Sequence, residues 1–196
     1  VSARNISFKT KFHGVMHLLN SSMFLCVFIV AFLSIPMLYI KNLFPQLGWL
    51  FELTSFFIVS TIILFVCYWF TYKSIQGSSF DNFVDYIKIF FTFFSVALGF
   101  SLHNSMAVLE GHMGKRSEFV RTPKFNINNL TDSWKGNKYL AKKLSPNMIL
   151  EALLMVYFLF GMYSAVPLND FGLFPFHLML FLGFGFVFFK SLTAKA

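Results

Sequence analysis

"FDNFVDYIKIFFTFFSVALGFSLHNSMAVLEG", residues 80–111, is the stretch on which the fold of this chain turns. Its charge-free core, "IFFTFFSVALGFSL" (residues 89–102), is short for a bilayer crossing, which takes about 20 mostly apolar residues. Asp81, Asp85 and Lys88 stand before the core, and His103, Asn104 and Glu110 follow it. The stretch is either a span in its own right or a helix that lies in the interface or enters partway.

The chain around it is built for lipid. Of 196 residues 57% are hydrophobic and only 12% charged, against about a quarter in a soluble domain. Too little polar surface exists to cover a water-facing globule, so most of the chain meets hydrocarbon. Four runs are long and apolar enough to cross: 18–40, 47–70 (with Glu52 near its start), 148–168 (with Glu151 in its first turn) and 172–189. The net charge of +8 gathers in one loop and at the chain ends, a pattern of topology and anionic ligands rather than of nucleic acid.

That charge decides how residues 80–110 are read. If they do not span, Arg4, Lys9, Lys11, Lys73, the basic loop, Lys190 and Lys195 share one side, and the other receives only Lys41 and the "PLNDFG" turn. If they span, the loop lands opposite the basic N-terminal segment and the positive-inside rule is broken. The expected fold is therefore an all-α membrane protein with four transmembrane helices in two hairpins, plus interfacial amphipathic helices and a cytosolic loop. Its segments are an interfacial lead-in helix (1–17), a first hairpin (18–70), an interfacial or re-entrant helix (80–110), a basic loop (111–147) and a second hairpin (148–189). Gly161, Gly183 and Gly185 mark places where helices can approach closely. Val1 is not a start methionine and no signal peptide is recognisable, so a further segment is expected upstream.

The loop holds "SEFVRTPKFN", residues 117–126. Arg121 offers a planar fork of donors and Lys124 a compact charge, with a Thr122 hydroxyl and a stiffening Pro123 between them. Such a set suits a phosphate or pyrophosphate, and Phe119 and Phe125 can stack on a base or seat the loop on protein. A cytosolic loop enriched in Lys and Arg for topology alone is the plainer reading of the same residues.

"LGFSLHNSMAVLEGHMGKRSEFVRTPKF", residues 98–125, resembles the segment after the second membrane hairpin of processive family 2 glycosyltransferases, the cellulose synthase-like enzymes of bacterial type. These carry a Phe-x-Val-Thr-x-Lys gating loop. Phe119, Thr122 and Lys124 fall on its Phe, Thr and Lys, while Arg121 replaces the Val. "AVLEG" (107–111) and "KFHGVMHLLNSSMF" (11–24) are also similar to that family, as is the order hairpin, interfacial helix, loop, hairpin. The resemblance implies a hexosyltransferase whose loop closes over a nucleotide-sugar donor through Phe119, Arg121, Thr122 and Lys124. The helices would anchor the catalytic domain and line a path for a growing glycan, or serve a lipid acceptor.

The family's acidic metal motif, catalytic base and Gln-x-x-Arg-Trp motif belong to an upstream cytosolic domain; the Trp residues here, Trp49, Trp69 and Trp134, do not follow an Arg. Catalytic residues and a divalent metal (Mg or Mn) are thus expected in that domain, and no cofactor on this region. The expected partners are the donor, the acceptor, membrane lipids and the upstream domain, in an inner (plasma) membrane with both ends cytoplasmic. The rival is a non-catalytic transport or binding subunit whose loop contacts anionic lipid or a partner.

Other polar residues are read more plainly. Glu151 is expected to serve the helix dipole near a start set by Ser145 and Pro146, whereas Glu52 has a glycan hydroxyl as its sharper option. His13 and His17 stand one turn apart without a third ligand, and His103 and His112 are expected to face the interface. Cys26 and Cys67 read as small core residues, and Trp49, Trp69 and Tyr72 as belt anchors.

Overall fold

The computed structural model describes residues 6–56, 58–115 and 146–193, and every regular element among them is helical. The order is α1 (Phe8–Leu43), a 3-10 turn (Pro45–Leu47), α2 (Gly48–Ser55), α3 (Ile58–Gln76), α4 (Phe80–Gly99), α5 (Ser101–His112), α6 (Pro146–Ser164) and α7 (Phe174–Thr193). Among the described residues, α1, α4, α6 and α7 are long and apolar enough to cross a membrane.

The number matches the four apolar runs, but the membership differs. The run at 47–70 is divided between α2 and α3 by a turn at Phe56, whose N–H bonds to the Leu53 carbonyl while its own carbonyl accepts from Val59 N–H. The sequence there is "ELTS", and Thr and Ser are weak helix formers in an otherwise apolar run. Residues 80–110, expected as one helix, are two. Gly99 and Phe100 end α4, where the Phe100 N–H bonds back to Val96, and α5 restarts at once. Nor does a break separate 1–17 from the first span: α1 runs through, capped by Ser7, which accepts from Thr10 N–H at 3.3 Å.

Pro36 lies inside α1 and has no N–H to give the Phe32 carbonyl. In hydrocarbon an orphan carbonyl needs another donor. The Tyr157 hydroxyl of α6 supplies it at 2.6 Å, with its ring stacked on Phe32. Tyr157→Phe should therefore cost about 1 kcal/mol in the native chain. In a Pro36→Ala background, where the helix makes its own bond, it should cost much less. A thermal-melt double-mutant cycle in detergent checks this, and equal costs in both backgrounds would refute the link.

The core joins Ala31 and Ile35 of α1, Leu102 of α5, Leu154 and Phe158 of α6, and Leu180 and Phe184 of α7. Contacts along it set the helix directions. Phe32, Ile35 and Tyr39 meet Tyr157, Gly161 and Ser164 in rising order, so α1 and α6 run the same way. Gly161 meets His177, Phe158 meets Phe184 and Met155 meets Gly185, so α7 runs back along α6. Leu102 shares the core with Ala31 and Ile35, while Ala107–His112 lies beside Ser21 and Ser22, so α5 runs against α1.

The expected close approaches hold for all three glycines. A Cβ on Gly183 would collide with the Ser95 carbonyl and the Gly99 nitrogen of α4. One on Gly161 would meet the Ile35 side chain at 2.7 Å, and one on Gly185 would come to 3.3 Å from Met155 Sδ. At Gly183 the missing side chain lets two helix backbones touch, as small residues do in lipid, while at Gly161 and Gly185 it makes room for a neighbouring side chain.

At one end of the bundle Lys41 Nζ donates to Asp170 Oδ2 at 2.5 Å, and Asp170 Oδ1 accepts from Gly172 N–H at 3.1 Å. The Lys41 hydrogen bond first, then the Gly172 amide, hold the Asp170 carboxyl below its ordinary value of 3.8 against the opposing effect of burial. A depressed folded pKa means stability that is complete above the unfolded value and lost as pH falls through the folded one. Melting temperature should therefore drop below about pH 4 with a component absent in Asp170→Asn. Both groups are partly exposed, so that component is under about 1 kcal/mol.

Candidate functional site

The helix directions bring the start of α1, the end of α5, the start of α6 and the end of α7 to one end of the bundle. Lys9, Lys11, Lys115 and Lys190 lie on these segments, and Lys41 lies at the other end in its pair with Asp170. The chain thus leaves at Lys115 and re-enters at Pro146 on the same basic end. Phe119, Arg121, Thr122 and Lys124 lie between, outside the described residues.

The departure is shaped by glycine. Gly114 has φ +70°, the left-handed conformation that closes a helix. Its N–H bonds to the Gly111 carbonyl at 3.2 Å and the Lys115 N–H to the Glu110 carbonyl at 3.1 Å. The pattern terminates α5 at Gly114.

Beneath this exit, α5 and α6 are tied together. Glu151 is 1% exposed, and its Oε1 lies 2.5 Å from His103 Nε2. The residues that flank the basic segment on either side are therefore joined inside the bundle. Glu151 was expected to answer the α6 dipole, yet it lies beyond the first turn and pairs with a histidine expected to face the interface. The residues stand 48 positions apart, and the only signal in the sequence was two polar groups near the ends of apolar runs.

Two further polar pairs lie towards the Lys41–Asp170 end. Ser34 Oγ donates to the Ala31 carbonyl at 2.6 Å and so accepts from His177 Nε2 at 2.9 Å, which fixes the hydrogen on that nitrogen. Likewise Ser164 donates to the Phe160 carbonyl and accepts from the Tyr39 hydroxyl. Each pair ties α1 to a later helix.

Other expectations shift with the packing. Glu52 is exposed on α2, and Cys26 and Cys67 are exposed rather than in the core. Trp69 packs on Tyr72, Phe83 and Tyr86 between α3 and α4, while Trp49 is exposed. His13 and His17 are exposed one turn apart on α1, and no group of three or more metal-ligating side chains forms among the described residues. Comparison with family models, with curated proteins and with solved structures finds no match to this chain.

Proposed function

We propose that this chain is the membrane region of a family 2 glycosyltransferase of the cellulose synthase-like type, and that its basic loop completes a nucleotide-sugar site. The observation that carries the reading is the shared basic end: the described chain leaves there at Lys115 and returns there at Pro146, on either side of the segment bearing Phe119, Arg121, Thr122 and Lys124. A loop that covers a cytosolic donor needs both its roots on the cytosolic face, and the concentration of Lys on that end agrees with positive-inside topology. On this reading the Lys41–Asp170 end faces away from the cytosol, and both chain ends face inward at the inner (plasma) membrane. Helices α1 to α3 then form the first hairpin, and α6 and α7 the second.

The upstream cytosolic domain would supply the catalytic base and a bound Mg or Mn ion. This region would contribute charge and closure. Arg121 and Lys124 pair with the diphosphate, Thr122 donates to it, and Phe119 seats the loop. The acceptor, a glycan or a lipid, approaches along the helices.

A photoreactive nucleotide-sugar analogue tests the site directly. In the full-length enzyme it should crosslink within residues 116–125, and an unlabelled nucleoside diphosphate should compete. Crosslinking that no nucleotide displaces, or none with any uridine or guanosine diphosphate sugar, would end the donor-site assignment.

A further inference from the structure

We propose that the groove between α1 and α5 holds the phosphate head group of an anionic membrane lipid. The groove encloses about 590 Å³ and is lined by Ser21, Ser22 and Phe24 on one side and by Asn104, Val108 and His112 on the other.

Its depth in the bilayer follows from helix length. Lys41, paired with Asp170, marks the far aqueous boundary. Ser21 lies twenty residues earlier on the same helix, which is about 30 Å at 1.5 Å per residue. That is the thickness of a hydrocarbon core. The groove therefore opens where the head groups begin on the basic side, and the first turns of α1 extend beyond it.

The chemistry of the lining selects the occupant. The Ser21 and Ser22 hydroxyls and the Asn104 amide have no side-chain hydrogen-bond partner among the described residues, which leaves them open to a ligand at the head-group boundary. His112 Nδ1 lies 2.8 Å from the Val108 carbonyl and so donates to it, which holds the ring against α5 as part of the groove wall. His17 stands one turn before Ser21 on the same helix face and is exposed. The groove thus gathers hydroxyl and amide donors at the end that carries Lys9, Lys11, Lys190 and Lys115, the last of these paired with Glu110 at 3.4 Å. A phosphate takes several such donors at once and is drawn by that charge. A neutral sugar gains nothing from the cations, and a zwitterionic head group brings its own ammonium among them. Phe24 and Val108 offer an apolar wall to the first methylenes of the lipid chain.

The inference stands whatever residues 119–124 bind. The full chain is reconstituted in nanodiscs of phosphatidylcholine with and without phosphatidylglycerol, and retained lipid is counted by native mass spectrometry. The native chain should retain phosphatidylglycerol over phosphatidylcholine by about tenfold; both carry the phosphate, so the preference reads the repulsion between the choline ammonium and the lysines of that end, about 1.4 kcal/mol. Ser22→Leu with Asn104→Leu should bring that preference to within about twofold. Ala107→Trp, at an exposed position on the groove wall, should do the same by filling it, and it carries the test alone if the double variant does not fold. An unchanged preference in Ala107→Trp overturns the site. Displacement of the lipid by millimolar inorganic phosphate overturns the lipid as its occupant.

Discussion

Gly183→Leu is expected to separate α4 from α7 and to cost about 3 kcal/mol or more, at or beyond the upper end of ordinary overpacking. The neighbours of a side chain at this position are the Ser95 carbonyl and the Gly99 nitrogen, both backbone. No rotamer change relieves such a clash, so the whole helix must move. Gly99→Val should behave similarly, because it meets the Gly183 carbonyl from the other side. Gly14→Ala and Gly111→Ala face open space within helices and should be neutral or gain up to about 1 kcal/mol. Thermal melts and gel filtration in detergent read the difference. An unchanged melting temperature for Gly183→Leu would mean that α4 and α7 do not cross here.

If the proposed donor site holds, Lys124→Ala and Thr122→Ala should each reduce sugar transfer by the full-length protein by about tenfold or more, with membrane abundance unchanged. A charge-assisted bond to phosphate is worth roughly 1.5–3 kcal/mol, which sets that scale. Lys142→Ala and Lys143→Ala lie on the same basic segment and should do little, because topology and lipid contact tolerate the loss of one charge among many. The informative quantity is the contrast between the two pairs. Equal losses would reduce the segment to generic positive charge and remove the donor-site assignment.

The apolar runs were enough to read an all-helical membrane chain, because length and polarity alone dictate that backbone in lipid. The glycines could also be read, since a missing Cβ has the same meaning wherever a helix meets another. The division of 47–70 was not legible: a turn at Phe56 competes with a continuous helix by small local terms that an apolar count does not weigh. Equally hidden was the tie between His103 and Glu151, which depends on α5 packing antiparallel to α1 beside α6. That placement is a matter of tertiary packing. The loop residues were singled out by motif alone, and their chemistry awaits the variants above.

The crossing of Gly99 with Gly183 also sets a schedule for biogenesis. The two positions are 84 residues apart, so at 5–20 residues per second the ribosome makes the second roughly 4–17 s after the first. Throughout that interval α4 and α5 must wait in the insertion machinery or in lipid, with Ser95 and His103 not yet met by α6 and α7. The nascent protein is thus at its most vulnerable before its last helix arrives. A membrane-resident chaperone or quality-control protease that samples unpaired polar helices would have its opportunity within those seconds.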